Sequence, residues 1–139
     1  MDGTETLANL VRAANAVKPV VAFADGLMAS AAYWIGSAAS QIIMSDNVTQ
    51  IGSIGVVASH TDISGAEAAR GIKTTEITAG KFKRIASQYG ALSESGRQTI
   101  QDQVDYLYSI FVQSVADNRG VSTDKVLQDM ADGRVFIGQ

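Results

Sequence analysis

The sequence predicts an α/β domain, and three observations carry that expectation. Short apolar runs alternate along the chain with stretches whose apolar residues recur at helical spacing. Thirteen glycines and a single proline, Pro19, punctuate it, a pattern that suits regular elements joined by glycine turns. Hydrophobic residues make up 46% and charged residues 18% of 139 positions, the composition of a soluble globular protein long enough for one buried core. A single domain over residues 1–139 is expected.

Leu7, Leu10, Val11, Ala14 and Val17 recur at helical spacing, which predicts a first helix from Thr4 to Ala16. Lys18-Pro19 stops it, because a residue before proline avoids helical geometry. Val20 to Ala24 is an unbroken apolar run, the pattern of a strand buried on both faces. Asp25-Gly26 breaks that strand, and the small residues from Met28 to Ala39 predict a helix that packs very closely on its neighbour. Gln41–Ser45 reads as a second short buried strand. Ile51-Gly52-Ser53-Ile54-Gly55-Val56-Val57 reads as a glycine turn running into a strand.

Ser64–Arg70 is expected to be helical and Ile72–Thr78 a strand, followed by an aperiodic loop, Ala79–Leu92, that carries Lys81, Lys83 and Arg84. A long helix starts near Ser93, with Ser95 and Gln98 spaced as a capping box. Ile100, Val104, Leu107, Phe111 and Val115 form its apolar stripe. Arg119-Gly120 ends it. Ser122 then caps a short helix with Val126, Leu127 and Met130 inward, and Asp132-Gly133 turns into a last strand, Val135–Ile137. Alternating strands and helices predict parallel pairing with right-handed crossovers.

Composition also removes several classes of function. A net charge of −3 without a basic run gives nucleic-acid binding no support. With no cysteine there is neither a disulfide framework nor a thiolate zinc site, which fits a reducing compartment. No motif for a metal or an organic cofactor stands out. The apolar runs fall far short of the roughly 20 residues that cross a bilayer, and Met1-Asp2-Gly3-Thr4-Glu5 does not resemble a signal peptide.

The most informative stretch is Asp25-Gly26-Leu27-Met28-Ala29-Ser30-Ala31-Ala32-Tyr33-Trp34. It places Ser30 where a strand passes into a helix of small side chains. Exposed N–H groups and the helix dipole there suit an oxyanion, with the Ala31 N–H as one donor. A plain helix cap is the other reading of such a serine. A nucleophilic hydroxyl needs a base. His60, the single histidine, has Asp62 nearby and allows a Ser-His-Asp arrangement. Lys81 and Lys83, both following Gly80, allow a Ser-Lys pair, since burial or neighbours can make a lysine a base.

These residues resemble the S49 family of serine peptidases, which includes signal peptide peptidase A and phage head-maturation proteases. Lys18-Pro19-Val20-Val21-Ala22-Phe23 is similar to the strand before the family's nucleophile, and Ala29-Ser30-Ala31-Ala32-Tyr33 to its Ala-Ser-small-small-Tyr motif. Gly52-Ser53-Ile54-Gly55-Val56 resembles the Gly-Ser-Ile/Leu-Gly-Val signature, and Gly80-Lys81-Phe82-Lys83 the Gly-x-x-Lys segment. Gly133-Arg134-Val135-Phe136-Ile137-Gly138 matches a late Gly-Arg-Val-aromatic-x-Gly stretch. The resemblance implies Ser30 as nucleophile, Lys83 as general base with Lys81 as runner-up, and Ser53 as the residue that orients the lysine.

It further implies a ClpP/crotonase-like fold of repeated ββα units, a peptide or protein substrate, and a homo-oligomeric ring or dome. The family's upstream glycine pair, which supplies a second oxyanion donor, and a downstream Gly-Leu-x-Asp segment have no counterpart here. The expectation is a fragment truncated at both ends, weakly active because one oxyanion donor is worth about 10²–10³ in turnover. Ala31-Ala32-Tyr33-Trp34 leans towards the phage type, which acts on scaffold or capsid protein in the host cytoplasm. The alternative is a membrane-associated signal peptide peptidase. Lower alternatives are a non-catalytic assembly scaffold and a crotonase-type acyl-CoA enzyme, for which Glu67, Glu76 and Glu94 are the central acid–base candidates.

Overall fold

The computed structural model describes residues 3–138. They divide into two compact units, Val57–Tyr106 and the residues on either side of it up to Val56 and from Leu107. The flanking segments form the serine unit, which holds Ser30 and Ser53. Val57–Tyr106 forms the lysine unit, which holds Lys81 and Lys83.

The serine unit opens with α1 (Thr4–Val17), then β1 (Val21–Ala24), β2 (Leu27–Ala29), α2 (Ala31–Ser37), β3 (Gln41–Met44) and β4 (Gln50–Gly52). Its C-terminal part carries α5 (Thr123–Asp129) and β5 (Val135–Ile137). The element α4 (Glu94–Arg119) contributes to both units, to this one from Leu107 onward. β1 pairs with β3 in parallel, Val21 opposite Gln41 through Ala24 opposite Met44. β2 pairs with β4 in parallel, Leu27 opposite Gln50 and Ala29 opposite Gly52. The order β1-β2-α2 is therefore followed by β3-β4, each strand lying beside its counterpart.

Several expectations change. Leu27–Ala29 is a strand, so α2 starts at Ala31 and not at Met28. Pairing with β4 outweighs the local preference of those three residues for helix. On the Ile51–Val57 stretch the strand lies before the glycine turn, at Gln50–Gly52. β5 runs antiparallel to β4, with Ile51 opposite Phe136 and Gly52 opposite Val135. The crossover rule governs strands joined by one helical connection, whereas a long excursion separates β4 from β5. β1 and β3 are also half-exposed: Val21 and Phe23 are 48% and 65% exposed, and only the opposite face, with Ala22, Ala24 and Ile42, joins the core.

Small residues in α2 do pack closely, as expected. A Cβ on Gly36 would lie 2.5 Å from the Met28 sulfur and 3.6 Å from the Ala22 Cβ, so a larger residue would push α2 off the strands. Trp34 stacks on Phe111 at 4.6 Å between ring centroids. Ala8, Tyr33, Ile54, Val112, Val115 and Val126 belong to the same buried cluster. Gly120 ends α4 at φ +64°, and Val121 N–H reaches back to the Ala116 carbonyl. Ser122 Oγ caps α5 by accepting from Lys125 N–H at 3.2 Å. Leu127 is 45% exposed, not inward as its spacing implied.

The lysine unit has α3 (Ser64–Ala69), the start of α4 and long turns between them. Ile72–Thr78 forms no strand, and all of it is exposed, Ile77 at 97%. Among the described residues no strand pairs with it, and an unpaired strand is not stable in water. Ser93, not Ser95, caps α4, since its Oγ accepts from Gly96 N–H at 3.0 Å. Ser95 lies within the first turn, where its carbonyl accepts from Thr99 Oγ1.

Candidate active site

Only two non-glycine residues among those described have positive φ, and they are Ser30 and Ser53, both at +53°. An L side chain rarely adopts this backbone, and it persists only where the surroundings impose it. At Ser30 the chain passes from β2 to α2 through one residue, with ψ −122°. The Ser30 carbonyl already accepts the first helical bond, from Trp34 N–H at 2.9 Å. Its side chain makes no capping hydrogen bond. Holding a serine in a strained strand-to-helix turn without using it as a cap leaves its hydroxyl for other work.

Ser53 stands beside it by register. Ala29 pairs with Gly52, so each serine is the next residue along adjacent parallel strands, at the same end of the sheet. Ser30 N–H donates to the Gly52 carbonyl at 2.8 Å, and Ser53 N–H donates to the Arg134 carbonyl at 2.7 Å. Gly52 is required on two counts: its φ is +111°, and a Cβ would lie 3.0 Å from the Arg134 carbonyl oxygen and 3.1 Å from the Phe136 ring. Ala31 opens α2, so its N–H belongs to the helix's unpaired first turn. Tyr33, two residues further on, is buried, and that burial pushes its phenol up against the smaller opposing effect of Arg119. An apolar cavity of about 180 Å³ is lined by Tyr33, Ile51, Gly52, Ile54, Met130 and Phe136, together with Asp129.

Lys81 and Lys83 belong to the lysine unit, and both are exposed. Gly80, at φ +96°, starts their turn, and Lys83 N–H donates to the Gly80 carbonyl at 3.1 Å. The Lys81 ammonium sits over the Phe82 ring, 5.0 Å from its centroid. Lys81 also lines a cavity of about 430 Å³ with Thr78, Phe82, Arg84 and Ile85, and Lys83 lines one of about 400 Å³ with Glu76, Ile77, Thr78, Ala79 and Arg84.

A family model for peptidase family S49 matches residues 12–139. The chain belongs to peptidase family S49. A protein of Methanocaldococcus jannaschii provisionally named protease MJ0651 is 34% identical over 98% of this S49 chain and 43% of its own length. Capsid assembly protease C of Escherichia phage lambda is 30% identical over 99% of the chain and 30% of its own. A protein of Enterococcus faecium provisionally named signal peptide peptidase SppA is 33% identical over 86% of the chain and 34% of its own. The chain thus spans less than half the length of these relatives.

In this S49 chain His60, Asp62, Glu67 and Glu94 have structural partners. His60 Nε2 is 2.8 Å from the Ser87 carbonyl oxygen, and Asp62 Oδ1 accepts from Ser64 N–H at 2.9 Å. Bonds from Ser64 hold the Asp62 carboxyl below its ordinary range, with His60 the smallest contributor. Glu67 accepts from Thr74 Oγ1, and Glu94 pairs with Arg97.

Sequence reasoning missed what holds the lysine turn. Glu76 ion-pairs with Arg84 and accepts from Ser87 Oγ at 2.6 Å. Those bonds, from Ser87 first and Arg84 second, hold the Glu76 carboxyl below its ordinary range. The clasp spans eight and eleven residues without a periodic signal. Among the described residues no group of three His, Asp or Glu side chains could hold a metal ion, and no helix is long and apolar enough to cross a membrane.

Proposed function

We propose that the full-length protein is a serine endopeptidase with a Ser-Lys dyad, Ser30 as nucleophile and Lys83 as general base. The observation that carries this reading is the backbone at Ser30: a strained elbow between strand and helix whose hydroxyl caps nothing. In the first step unprotonated Lys83 takes the Ser30 proton as Oγ attacks the scissile carbonyl carbon. The oxyanion that forms faces the Ala31 N–H, and Ser53 holds the lysine head. Collapse breaks the C–N bond, the lysine ammonium protonates the leaving amine, and water hydrolyses the acyl-serine with Lys83 again accepting the proton. Lys81 is the runner-up base.

The order β1-β2-α2-β3-β4, with like strands paired, supports a ClpP/crotonase-like fold of repeated ββα units. In that setting the protein works as a homo-oligomer on peptide or protein substrates. Its role is phage head maturation, cutting scaffold or capsid protein in the bacterial cytoplasm. Ala31-Ala32-Tyr33-Trp34 and the similarity to the lambda capsid assembly protease over 99% of the chain support this. The second reading, degradation of cleaved signal peptides at a membrane, draws on the similarity to the Enterococcus protein.

Peptide hydrolysis by the full-length protein tests the dyad. Ser30→Ala should abolish turnover, and Lys83→Ala should lower it by about 10²–10⁴-fold. Turnover surviving in Ser30→Ala would overturn the proposal. Loss in Lys81→Ala with retention in Lys83→Ala would move the base to Lys81. Cleavage of co-expressed capsid or scaffold protein, against cleavage of free signal peptides, separates the two roles.

A further inference from the structure

The late Gly-Arg-Val stretch has no part in the dyad, yet it touches the peptide that joins the two serines. The Gly52 carbonyl, which receives Ser30 N–H, and the Ser53 N–H, which donates to the Arg134 carbonyl, are the two polar ends of one peptide group. A peptide group is a rigid plane. Turning it to suit one bond moves the other, so the position of the Arg134 carbonyl is felt at Ser53 and at the backbone of Ser30.

The Arg134 carbonyl is in turn held by Asp132. One carboxylate oxygen of Asp132 accepts the Arg134 backbone N–H at 3.0 Å, and the other takes the guanidinium, 2.6 Å from Nε. Gly133 makes the reversal between them at φ +85°. The Arg134 guanidinium also lies 5.7 Å from the centroid of the Phe136 ring. On the other side of the turn, Tyr108 OH donates to the Ala131 carbonyl. The turn is thus tied at its start, its middle and its end.

We propose that the Asp132–Arg134 turn is a positioning device for the active site, setting the Gly52–Ser53 peptide plane and through it both strained serines. The inference rests on Ser30 and Ser53 acting as assigned above. Asp132 touches no reacting atom, so it is a positioning residue and not a catalytic one. Its backbone-directed oxygen carries the effect. The ion pair with the guanidinium is secondary, because it is exposed and such pairs contribute little.

The rate at which a serine-directed phosphonate inactivates the full-length protein is measured together with its initial binding constant. Asp132→Ala removes the acceptor of the Arg134 N–H and should slow inactivation about 10-fold with binding unchanged, less than the roughly 10²-fold that a misplacement of 1 Å can cost. Asp132→Asn keeps that acceptor, and Arg134→Ala keeps both the acceptor and the backbone carbonyl. Both lose the ion pair, yet both should stay within about 2-fold of the parent rate. Gly133→Ala, which strains the turn but leaves the carboxylate, should be as slow as Asp132→Ala.

If all three ion-pair variants slow alike, the turn contributes only its charge pair and the inference is wrong. It is equally wrong if Asp132→Ala and Gly133→Ala both react at the parent rate. A parent protein that reacts elsewhere than Ser30 would overturn the dyad itself, a separate and recognisable failure.

Discussion

The serine unit and the lysine unit are stabilised by different physics. The first is built on a stacked Trp34–Phe111 pair and a buried aliphatic cluster. In the second, residues 57–106, Gly96 is the one buried residue among those described. Side-chain hydrogen bonds do the work there: Glu76 with Arg84 and Ser87, Thr74 with Glu67, and His60 with the Ser87 carbonyl. Apolar burial is proportional to area and insensitive to pH. Exposed polar clasps open at small cost and respond to protonation. The strained serines sit where packing can hold an unfavourable backbone, while the candidate lysines sit on a segment whose geometry depends on charge.

The sharpest way to break this contrast is to cut one side chain from each unit. Phe111→Ala should cost about 3–5 kcal/mol in denaturant unfolding, the range for a buried aromatic replaced by alanine. Ile77→Ala, at a side chain that is 97% exposed, should change stability by less than about 0.5 kcal/mol. Comparable losses would mean that the lysine unit has an apolar core of its own.

A smaller effect is expected from the strain at Ser30. Ser30→Gly and Ser30→Ala both lack the hydroxyl, so their difference isolates the backbone. Glycine adopts positive φ freely, and the glycine variant should be more stable than the alanine variant by about 1 kcal/mol, within the range for one strained residue. Equal stability would mean that the elbow relaxes at no cost.

The smallest effect is the acid response of the lysine turn. The Glu76 carboxyl is lowered in the folded protein by bonds from Ser87 and Arg84. Its contribution is therefore present above the ordinary glutamate value and is lost as pH falls through the lowered one. Limited proteolysis with an acid-active protease should show cleavage around residues 76–88 rising over that window. Glu76→Gln should be cleaved readily at every pH, and a variant that still shows the acid transition would assign it to another group.

Much of this was legible in the sequence, and the rest was not, for identifiable reasons. The helices with apolar stripes, the Gly120 stop and the Ser122 cap are local features, and they appear where periodicity and capping rules place them. Leu27–Ala29 could not be read as a strand because only β4, more than twenty residues on, makes it one. Ile72–Thr78 failed for the converse reason, since its β-like residues meet no partner. β5 runs antiparallel to β4 after a long excursion, and no local pattern reports that direction. At the site, the strand-to-helix pattern offered Ser30 and the family resemblance pointed to Ser53, but nothing in a serine announces a φ of +53°. The Glu76–Arg84–Ser87 clasp and the shared peptide plane join residues too far apart for any spacing rule.

The proposed dyad stands or falls on Ser30 being a nucleophile and not a helix cap. It is tested by treating the full-length protein with a serine-directed phosphonate and mapping the adduct by mass spectrometry, with Lys83→Ala alongside. A nucleophilic Ser30 gives one adduct, on Ser30, that disappears in the lysine variant. An unlabelled Ser30 in the folded full-length protein, or an adduct on another serine, would contradict it.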